Sequence, residues 1–321
     1  LCTHRQQKQT AQKQEKTKMK FDAYQTITDQ IINLMETHGT DWVKPWIGNG
    51  GSSKRPVSIS TGKPYQGCNP LLLWAAGFSD HRWGTYKAWQ GKGCQVRAGE
   101  KAGAHIVFFK TLDVKDRDSG EDKTIPFLRM TAVFNADQVD GAEPLPLTVQ
   151  ESPAQADDRV NAALTFARNT GASVNVLAGS DRAYYSPTTD KIVVPAITDF
   201  VGTVTSSAQE AYAGVILHEL IHWTGHRSRF DRIKHADFGD QEYATEELVA
   251  ELGATFLCAD LDISAEPRPD HAQYLASWLK ALKGDKRLIV RAASAASKAA
   301  TFLHGLQPNA QQDAEDFAEA A

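Results

Sequence analysis

One stretch constrains this chain more than any other: Val215-Ile216-Leu217-His218-Glu219-Leu220-Ile221-His222-Trp223-Thr224-Gly225. Apolar residues surround the polar ones, so the run reads as a helix whose polar groups face an interior. Four residues make just over one helical turn, and His218 and His222 therefore project from one face and can grip one ion. Glu219 stands beside the first histidine, where its carboxylate can reach a water on that ion without itself becoming a ligand. Zinc lowers the pKa of such a water to about 7, and a neighbouring glutamate can then accept its proton. The same motif can arise by chance on a solvated helix, but two histidines and a glutamate on a buried face are costly without a metal or partners.

A two-histidine site needs a third ligand. The pattern His-Glu-x-x-His-x-x-Gly-x-x-His would put it at position 228, where Ser228 stands, and His226 comes too early. Downstream, Thr245-Glu246-Glu247-Leu248-Val249-Ala250-Glu251-Leu252-Gly253-Ala254 reads as a second amphipathic helix, with Glu247 and Glu251 on one face and small Ala250 and Ala254 permitting close approach. This pair of helices resembles the gluzincin arrangement. The resemblance implies that Glu247 is the third metal ligand, with Glu246 as the alternative, and that Glu251 orients a ligand histidine through its second nitrogen. It implies zinc, with manganese or cobalt as the other divalent ions such a donor set accepts.

Charge divides the chain. Residues 1–140 hold 20 Lys/Arg against 14 Asp/Glu, whereas residues 141–321 hold 15 against 25. A basic half beside an acidic half suggests a polyanion-binding module joined to something else, although six net positives also suit an ordinary solvated surface. At 321 residues there is room for two domains with their own cores. No apolar run reaches the length of a membrane span. Cys2, Cys68, Cys94 and Cys258 form no Cys-x-x-Cys pair and no disulfide framework, which suits a reducing cytoplasm.

Taken in order, residues 1–20 form a polar Lys/Gln-rich tail, expected to be disordered, in which Met19 is a candidate natural start. The spacing of Phe21, Tyr24, Ile27, Ile31, Leu34 and Met35 predicts a helix over 21–37, closed by His38-Gly39. A short helix follows over 71–76. Trp83, Tyr86 and Trp89 fall at i, i+3 and i+6, a single helical stripe, and 91–101 is a Gly-punctuated basic loop. Strands are predicted over 104–110 and 127–135, joined by a charged excursion. The aromatic and basic residues of this half have two readings, core and solvated surface or a single-stranded DNA path in which rings stack on unpaired bases. The candidates for the second are Lys44, Trp46, Lys54, Arg55, Trp83, Tyr86, Lys87, Trp89, Lys92, Arg97 and Lys101, and spacing alone leaves the two readings even.

Residues 136–158 contain proline-broken sequence and read as a linker. A helix is predicted over 160–169, a strand over 173–177, and a hairpin over 183–195 that turns at Thr188-Thr189-Asp190. Zincins align an extended peptide along such a strand, which makes Tyr184 and Tyr185 candidates for a substrate cleft; they face opposite sides, so one at most points into it. Ser207-Ala208-Gln209-Glu210 is a capping box that starts the metal helix. Two further helices are predicted over 271–283 and 288–303, with Trp278 and Leu282 in the core, before an acidic tail.

Three spaced signatures in the first half are Tyr65-x-Gly67-x-Asn69, Trp83-x-Thr85-x-x-x-Trp89 and Gly93-x-x-Val96-Arg97-x-Gly99-Glu100-Lys101. They resemble the N-terminal domain of the ArdC antirestriction proteins, a domain also similar to parts of conjugative DNA primases. The second half, with His218-Glu219-Leu220-Ile221-His222-Trp223-Thr224-Gly225-His226 and Tyr243-Ala244-x-Glu246-Glu247-Leu248-x-Ala250-Glu251, resembles the same family's zincin-like domain. The resemblance spans roughly residues 20–305. It implies non-specific binding of single-stranded DNA, protection of incoming plasmid or phage DNA from host restriction, and a host restriction component as a possible protein substrate. The expected chain is thus α+β in two domains: a tail at 1–20, a DNA-binding domain at 21–140, a linker at 141–157, a zincin-like metallopeptidase domain at 158–305 and an acidic tail at 306–321. Glu219 is its general base; the competing expectation is a DNA-binding protein whose zincin-like domain is a non-catalytic scaffold. A primase accessory module fits less well, because no polymerase carboxylate constellation is visible.

Overall fold

The first helix, α1 (Ala23–His38), begins where Asp22 accepts a hydrogen bond from the Gln25 amide at 3.2 Å, satisfying an amide that a helix start leaves unpaired. It ends at Gly39, whose φ of 59° lies in the left-handed region that glycine enters without a Cβ clash. The structure is a computed structural model that describes residues 22–39, 54–115, 122–145, 153–203, 206–233, 241–263 and 271–308. Lys44, Trp46, the expected N-terminal tail and nearly all of the expected acidic tail lie outside these residues.

The first half continues through β1 (Val57–Ser58), α2 (Asn69–Trp74), β2 (Arg82–Gly84), α3 (Tyr86–Gly91), β3 (Gln95–Val96), β4 (Ala104–Lys115), β5 (Asp122–Asn135) and β6 (Val139–Asp140). The main sheet has the order β1-β2-β5-β4, with β1 and β2 parallel and the other pairs antiparallel; β3 and β6 form a separate pair. The edge of β4 is closed in one place by a side chain. Asn69 accepts from the Val107 amide at 2.7 Å and donates to its carbonyl at 2.8 Å, as a neighbouring strand would. The predicted aromatic stripe over 83–89 is broken: Trp83 belongs to β2, and the Thr85 hydroxyl caps α3 by accepting from the Ala88 amide at 3.2 Å. The strands after it run further than predicted, because the ladder continues through Asp113 opposite Thr124 and Lys115 opposite Asp122.

The second half comprises α4 (Pro153–Asn169), β7 (Ser173–Val176), β8 (Tyr184–Ser186), β9 (Lys191–Val194), α5 (Ala208–Thr224), α6 (Gln241–Asp260), α7 (His271–Gly284) and α8 (Leu288–Gly305). α4 begins inside the expected linker. Proline lacks only an amide that the first turn does not use, so Pro153 opens the helix rather than breaking it. The small sheet has the order β7-β9-β8, with β9 parallel to β7 and antiparallel to β8.

The core departs from the expectation of two separate interiors. Leu217 and Leu220 of α5, Leu248, Leu252, Phe256 and Leu257 of α6, Trp278 of α7 and Ala293, Ala296 and Leu303 of α8 are buried in one cluster. Ile27, Ile31 and Met35 of α1 and Leu71, Leu72 and Trp74 of α2 belong to that same cluster. The apolar stripe of α1 is covered by α7 and α8 of the second half together with β5. Polar contacts cross as well: Thr28 Oγ1 donates to the Lys286 carbonyl, and Ser297 Oγ accepts from the Gly67 amide, both at 2.8 Å. Arg55 Nη1 donates to Asp260 Oδ2 at 2.9 Å. Among the described residues no helix is long and apolar enough to cross a membrane.

Candidate functional site

The metal helix is fixed at its start and enclosed at its end. Ser207 Oγ accepts from the Glu210 amide at 3.2 Å while Glu210 Oε2 accepts from the Ser207 amide at 2.9 Å, the reciprocal cap that the sequence predicts. From Ile216 to Thr224 every residue of α5 is buried, including His218, Glu219 and His222. α6 packs against this run through Gly253. A Cβ there would stand 2.7 Å from the Ile221 side chain, so glycine is what permits this approach.

That approach brings one nitrogen of each histidine and a Glu247 oxygen within 4.8 Å of one another, all three residues buried. His218 Nε2 lies 3.7 Å from Glu247 Oε2, and His222 Nε2 lies 3.4 Å from Glu247 Oε1. In a tetrahedral shell with bonds of about 2.0–2.2 Å, donors stand roughly 3.3–3.6 Å apart. Two imidazoles and a carboxylate at these separations fit a divalent cation.

The outward nitrogens face carboxylates too. His218 Nδ1 is 3.7 Å from Glu251 Oε2, and His222 Nδ1 is 3.3 Å from Glu246 Oε1. Arg232 holds both oxygens of Glu246, with Nη2 donating to Oε1 at 2.9 Å and Nε donating to Oε2 at 3.1 Å. Arg232 is in turn held by the Thr224 hydroxyl at 2.9 Å and the Ile221 carbonyl at 2.8 Å, at the end of α5. The sequence offers Glu246 as an alternative ligand and gives no sign of Arg232, which sits in a loop without periodicity.

Among the protein groups alone the site is strongly polarised. Burial pushes the His222 imidazole down, but the charge of Glu247 and the bonds to Glu246 and Glu247 outweigh it and leave the group raised to about 10. Burial raises the Glu247 carboxyl, yet the charges of His222 and His218 and its bonds to both hold it far below the usual carboxylate range. Glu246 is lowered as well, burial being outweighed by His222 and Arg232. Tyr243, one turn before Glu247, was also missed, although its i−4 spacing was available as a signal. Its hydroxyl lies 3.3 Å from that of Tyr274, and burial, Tyr274 and the charge of Glu247 push the phenol up.

The two cleft candidates separate. Tyr185 is buried, and its hydroxyl donates to Asp190 Oδ1 at 2.8 Å. Arg229 donates to Asp190 Oδ2 at 3.1 Å and stacks 3.8 Å over the Trp223 ring, so Tyr185 belongs to a lock between the hairpin turn and the end of α5. Tyr184 is exposed on β8, an edge strand.

Burial removes three of the DNA-contact candidates. Trp83 and Trp89 are each 1% exposed, in separate small clusters, and offer no face to a base. Trp89 Nε1 donates to the Phe134 carbonyl at 3.0 Å. Arg55 is 5% exposed, bound to Asp260 and to Gln66, and lies 4.7 Å over the Phe256 ring. Tyr86, Lys54, Lys87, Lys92, Arg97 and Lys101 are exposed, but Arg97 is engaged with Glu100 and the Asp137 carbonyl. Lys44 and Trp46 lie outside the described residues.

Comparison with known proteins follows this division of the chain. The family described as the N-terminal domain of anti-restriction factor ArdC matches residues 21–134, and the family described as a zincin-like metallopeptidase matches residues 161–295. An uncharacterised protein of Sinorhizobium fredii (strain NBRC 101917 / NGR234), y4eC, is 39% identical over 303 residues, covering 91% of this chain and 94% of that protein. A DNA primase, TraC of Escherichia coli, is 34% identical over 306 residues, which are 90% of this chain and 20% of the primase. The crystal structure of the antirestriction ArdC protein from plasmid R388, metal-free, superposes with a TM-score of 0.70 at 39% identity, covering 89% of this chain and 98% of that one. Its Mn(II)-bound form gives 0.69 at 37% identity, covering 90% and 99%.

Proposed function

The chain belongs to the ArdC antirestriction family, and on that footing we propose that it protects incoming plasmid or phage DNA from host restriction by binding it as a single strand, without sequence preference. We further propose that its zincin-like metallopeptidase domain hydrolyses a peptide bond, with a host restriction component as the substrate class. The observation that carries the second part is the His218, His222 and Glu247 donor set with Glu219 buried beside it. Zinc is the proposed resident ion; the Mn(II)-bound relative supports divalent occupancy of such a site.

A divalent cation held by His218, His222 and Glu247 would supply Lewis acidity that eases proton loss from water near neutral pH. Glu219 takes a proton from the attacking water as the water oxygen bonds to the peptide carbonyl carbon, and passes that proton to the amine as the C–N bond breaks. Glu251 and Glu246 each fix one histidine ring through its outward nitrogen, keeping the inward nitrogen free of its proton and aimed at the ion. β8 offers an edge along which an extended peptide can pair, with Tyr184 on its exposed side. The three described cysteines are free thiols, which supports action in a reducing cytoplasm.

One observation favours a second reading, in which the zincin-like domain acts as scaffold: its helices pack on α1 and hold Arg55. Glu219 separates the two, since a scaffold has no use for a buried carboxylate beside the ligands. Glu219→Ala is expected to abolish hydrolysis and to leave single-strand affinity within about 1 kcal/mol of wild type, as for uncoupled sites. Mating into a restriction-proficient recipient reads the consequence. Protection that survives the change means coverage of the strand suffices; protection lost at equal protein level and DNA affinity makes hydrolysis essential. No protection by the wild-type chain defeats the proposal.

A further inference from the structure

The two long strands of the first half leave the core before they end. At about 3.4 Å per residue, the 12 residues of β4 reach roughly 40 Å. Near their base, the face bearing Ala104, Ile106 and Val133 is covered by Leu73, Trp83, Tyr65 and Phe78. Two rungs further out the same face carries Phe108 opposite Arg129, then Lys110 opposite Phe127. Aromatic and cationic side chains therefore alternate in a two-by-two checkerboard. Phe127 is 41% exposed, Phe108 is half-buried, and Lys110 and Arg129 are exposed.

This face is unlike ordinary solvated sheet. Lys110 Nζ lies 5.8 Å from the centre of the Phe108 ring, which places cation and ring side by side. Neither Lys110 nor Arg129 has an ion-pair partner among the described residues. Residues 101–112 and 123–136 contain Lys101, Lys110, Lys123 and Arg129 and no aspartate or glutamate. An occupant must therefore be anionic and must present flat faces to phenyl rings. An unpaired polynucleotide does both, because its bases have open π-faces and its phosphates follow at regular intervals; a duplex keeps its bases stacked inside.

The geometry points to the outer β4–β5 face, with Phe108, Lys110, Phe127 and Arg129, as the platform on which single-stranded DNA lies. Phe108 and Phe127 stack on bases, and Lys110 and Arg129 neutralise flanking phosphates. This rests on the single-strand reading above and supplies the aromatic contacts that the buried Trp83 and Trp89 do not. Phe109 projects from the opposite face, 59% exposed, and is the internal control.

The test uses the full chain and a fluorescent 20-nucleotide oligo-dT, read by anisotropy across a salt series. Phe127→Ala is expected to weaken binding by about tenfold, the loss typical of one stacked base, and Phe108→Ala together with Phe127→Ala by more. Lys110→Gln with Arg129→Gln is expected to weaken binding and to flatten the salt slope by about 1.4, roughly 0.7 for each single-strand phosphate that is no longer neutralised. Phe109→Ala is expected to bind as wild type. Retained divalent-metal binding certifies that each variant is folded. Wild-type affinity in both the Phe127→Ala and the double-glutamine variants overturns the platform while the single-strand reading stands. A wild-type chain that ignores the oligonucleotide overturns both. A change of oligomeric state on size exclusion, with DNA affinity intact, reassigns the face to contact between copies and also overturns the platform.

Discussion

Arg55→Ala tests whether the two halves form one cooperative body. The side chain is 5% exposed, donates to Asp260 at 2.9 Å and to Gln66 at 3.1 Å, and lies 4.7 Å over the Phe256 ring. Truncation strands the Asp260 carboxylate, which is 11% exposed. Removing one partner of a buried pair costs about 3–5 kcal/mol. His304 Nε2 remains 3.0 Å from the same oxygen and puts the cost at the low end, about 3 kcal/mol. At roughly 2 °C per kcal/mol for a chain of this size, the melting midpoint falls by roughly 6 °C. Scanning calorimetry on the metal-saturated chain reads this. The companion variant, Arg55→Met with Asp260→Leu, strands no charge and is expected to recover most of the loss. A shift below about 1 °C, the scale of an exposed ion pair, refutes the reasoning, as does a double variant no better than the single one.

The remaining outcomes concern the metal site. His222 must give up a proton that the protein groups alone hold to about pH 10, so apparent metal affinity should climb about tenfold per pH unit between roughly pH 6 and 8, measured by competition with a chelator. Because its pKa is raised above the ordinary 6.5, the stabilisation it gives the metal-free chain is complete below that value and is lost as pH rises towards 10; chelated protein should melt progressively earlier over that span. His218→Ala and His222→Ala should each abolish uptake, whereas Glu219→Gln should retain the ion. Gly253→Ala places a methyl 2.7 Å from the Ile221 side chain; pushing α6 off α5, it should weaken metal binding by at least tenfold in the same assay, and unchanged affinity would show that the two helices tolerate the wider spacing.

The helices around the metal were legible because periodicity, capping and burial agree in them. Ser207 and Glu210 announce the start of α5, and its apolar flanks announce an interior. The β2–α3 junction was not legible for a definite reason. Three aromatics at intervals of three residues fit a helical stripe, and they fit equally well a strand residue followed by a short capped helix; Thr85 decides for the second by bonding the Ala88 amide. The ends of β4 and β5 were hidden for the opposite reason. Charged residues from Asp113 onward look like loop, but the ladder is a pairing of backbone groups and continues from Asp113 opposite Thr124 to Lys115 opposite Asp122, so side-chain polarity does not mark its end. The shared core escaped because apolar spacing in α1 shows that a face is buried and cannot show by what.

The carboxylates of α6 show where sequence reading of the site stops. Spacing places Glu247 and Glu251 on one face and leaves Glu246 beside them, so any two of the three satisfy a rule about helical neighbours. Moving one turn forward along α5, from His218 to His222, moves the facing residue back along α6, from Glu251 to Glu246. One turn before Glu247 stands Tyr243, which has no carboxylate to offer, and the outward nitrogen of His222 meets Glu246 instead. What commits Glu246 to that place is Arg232, which binds both of its oxygens while itself tied to Thr224 and Ile221. A carboxylate held on both oxygens by a guanidinium is poorly placed to enter a metal's shell, and Glu247, which faces both inward nitrogens, is left to do so. The sorting of two adjacent, chemically identical side chains thus depends on a loop arginine 14 residues before the first of them, a relation that no local pattern records.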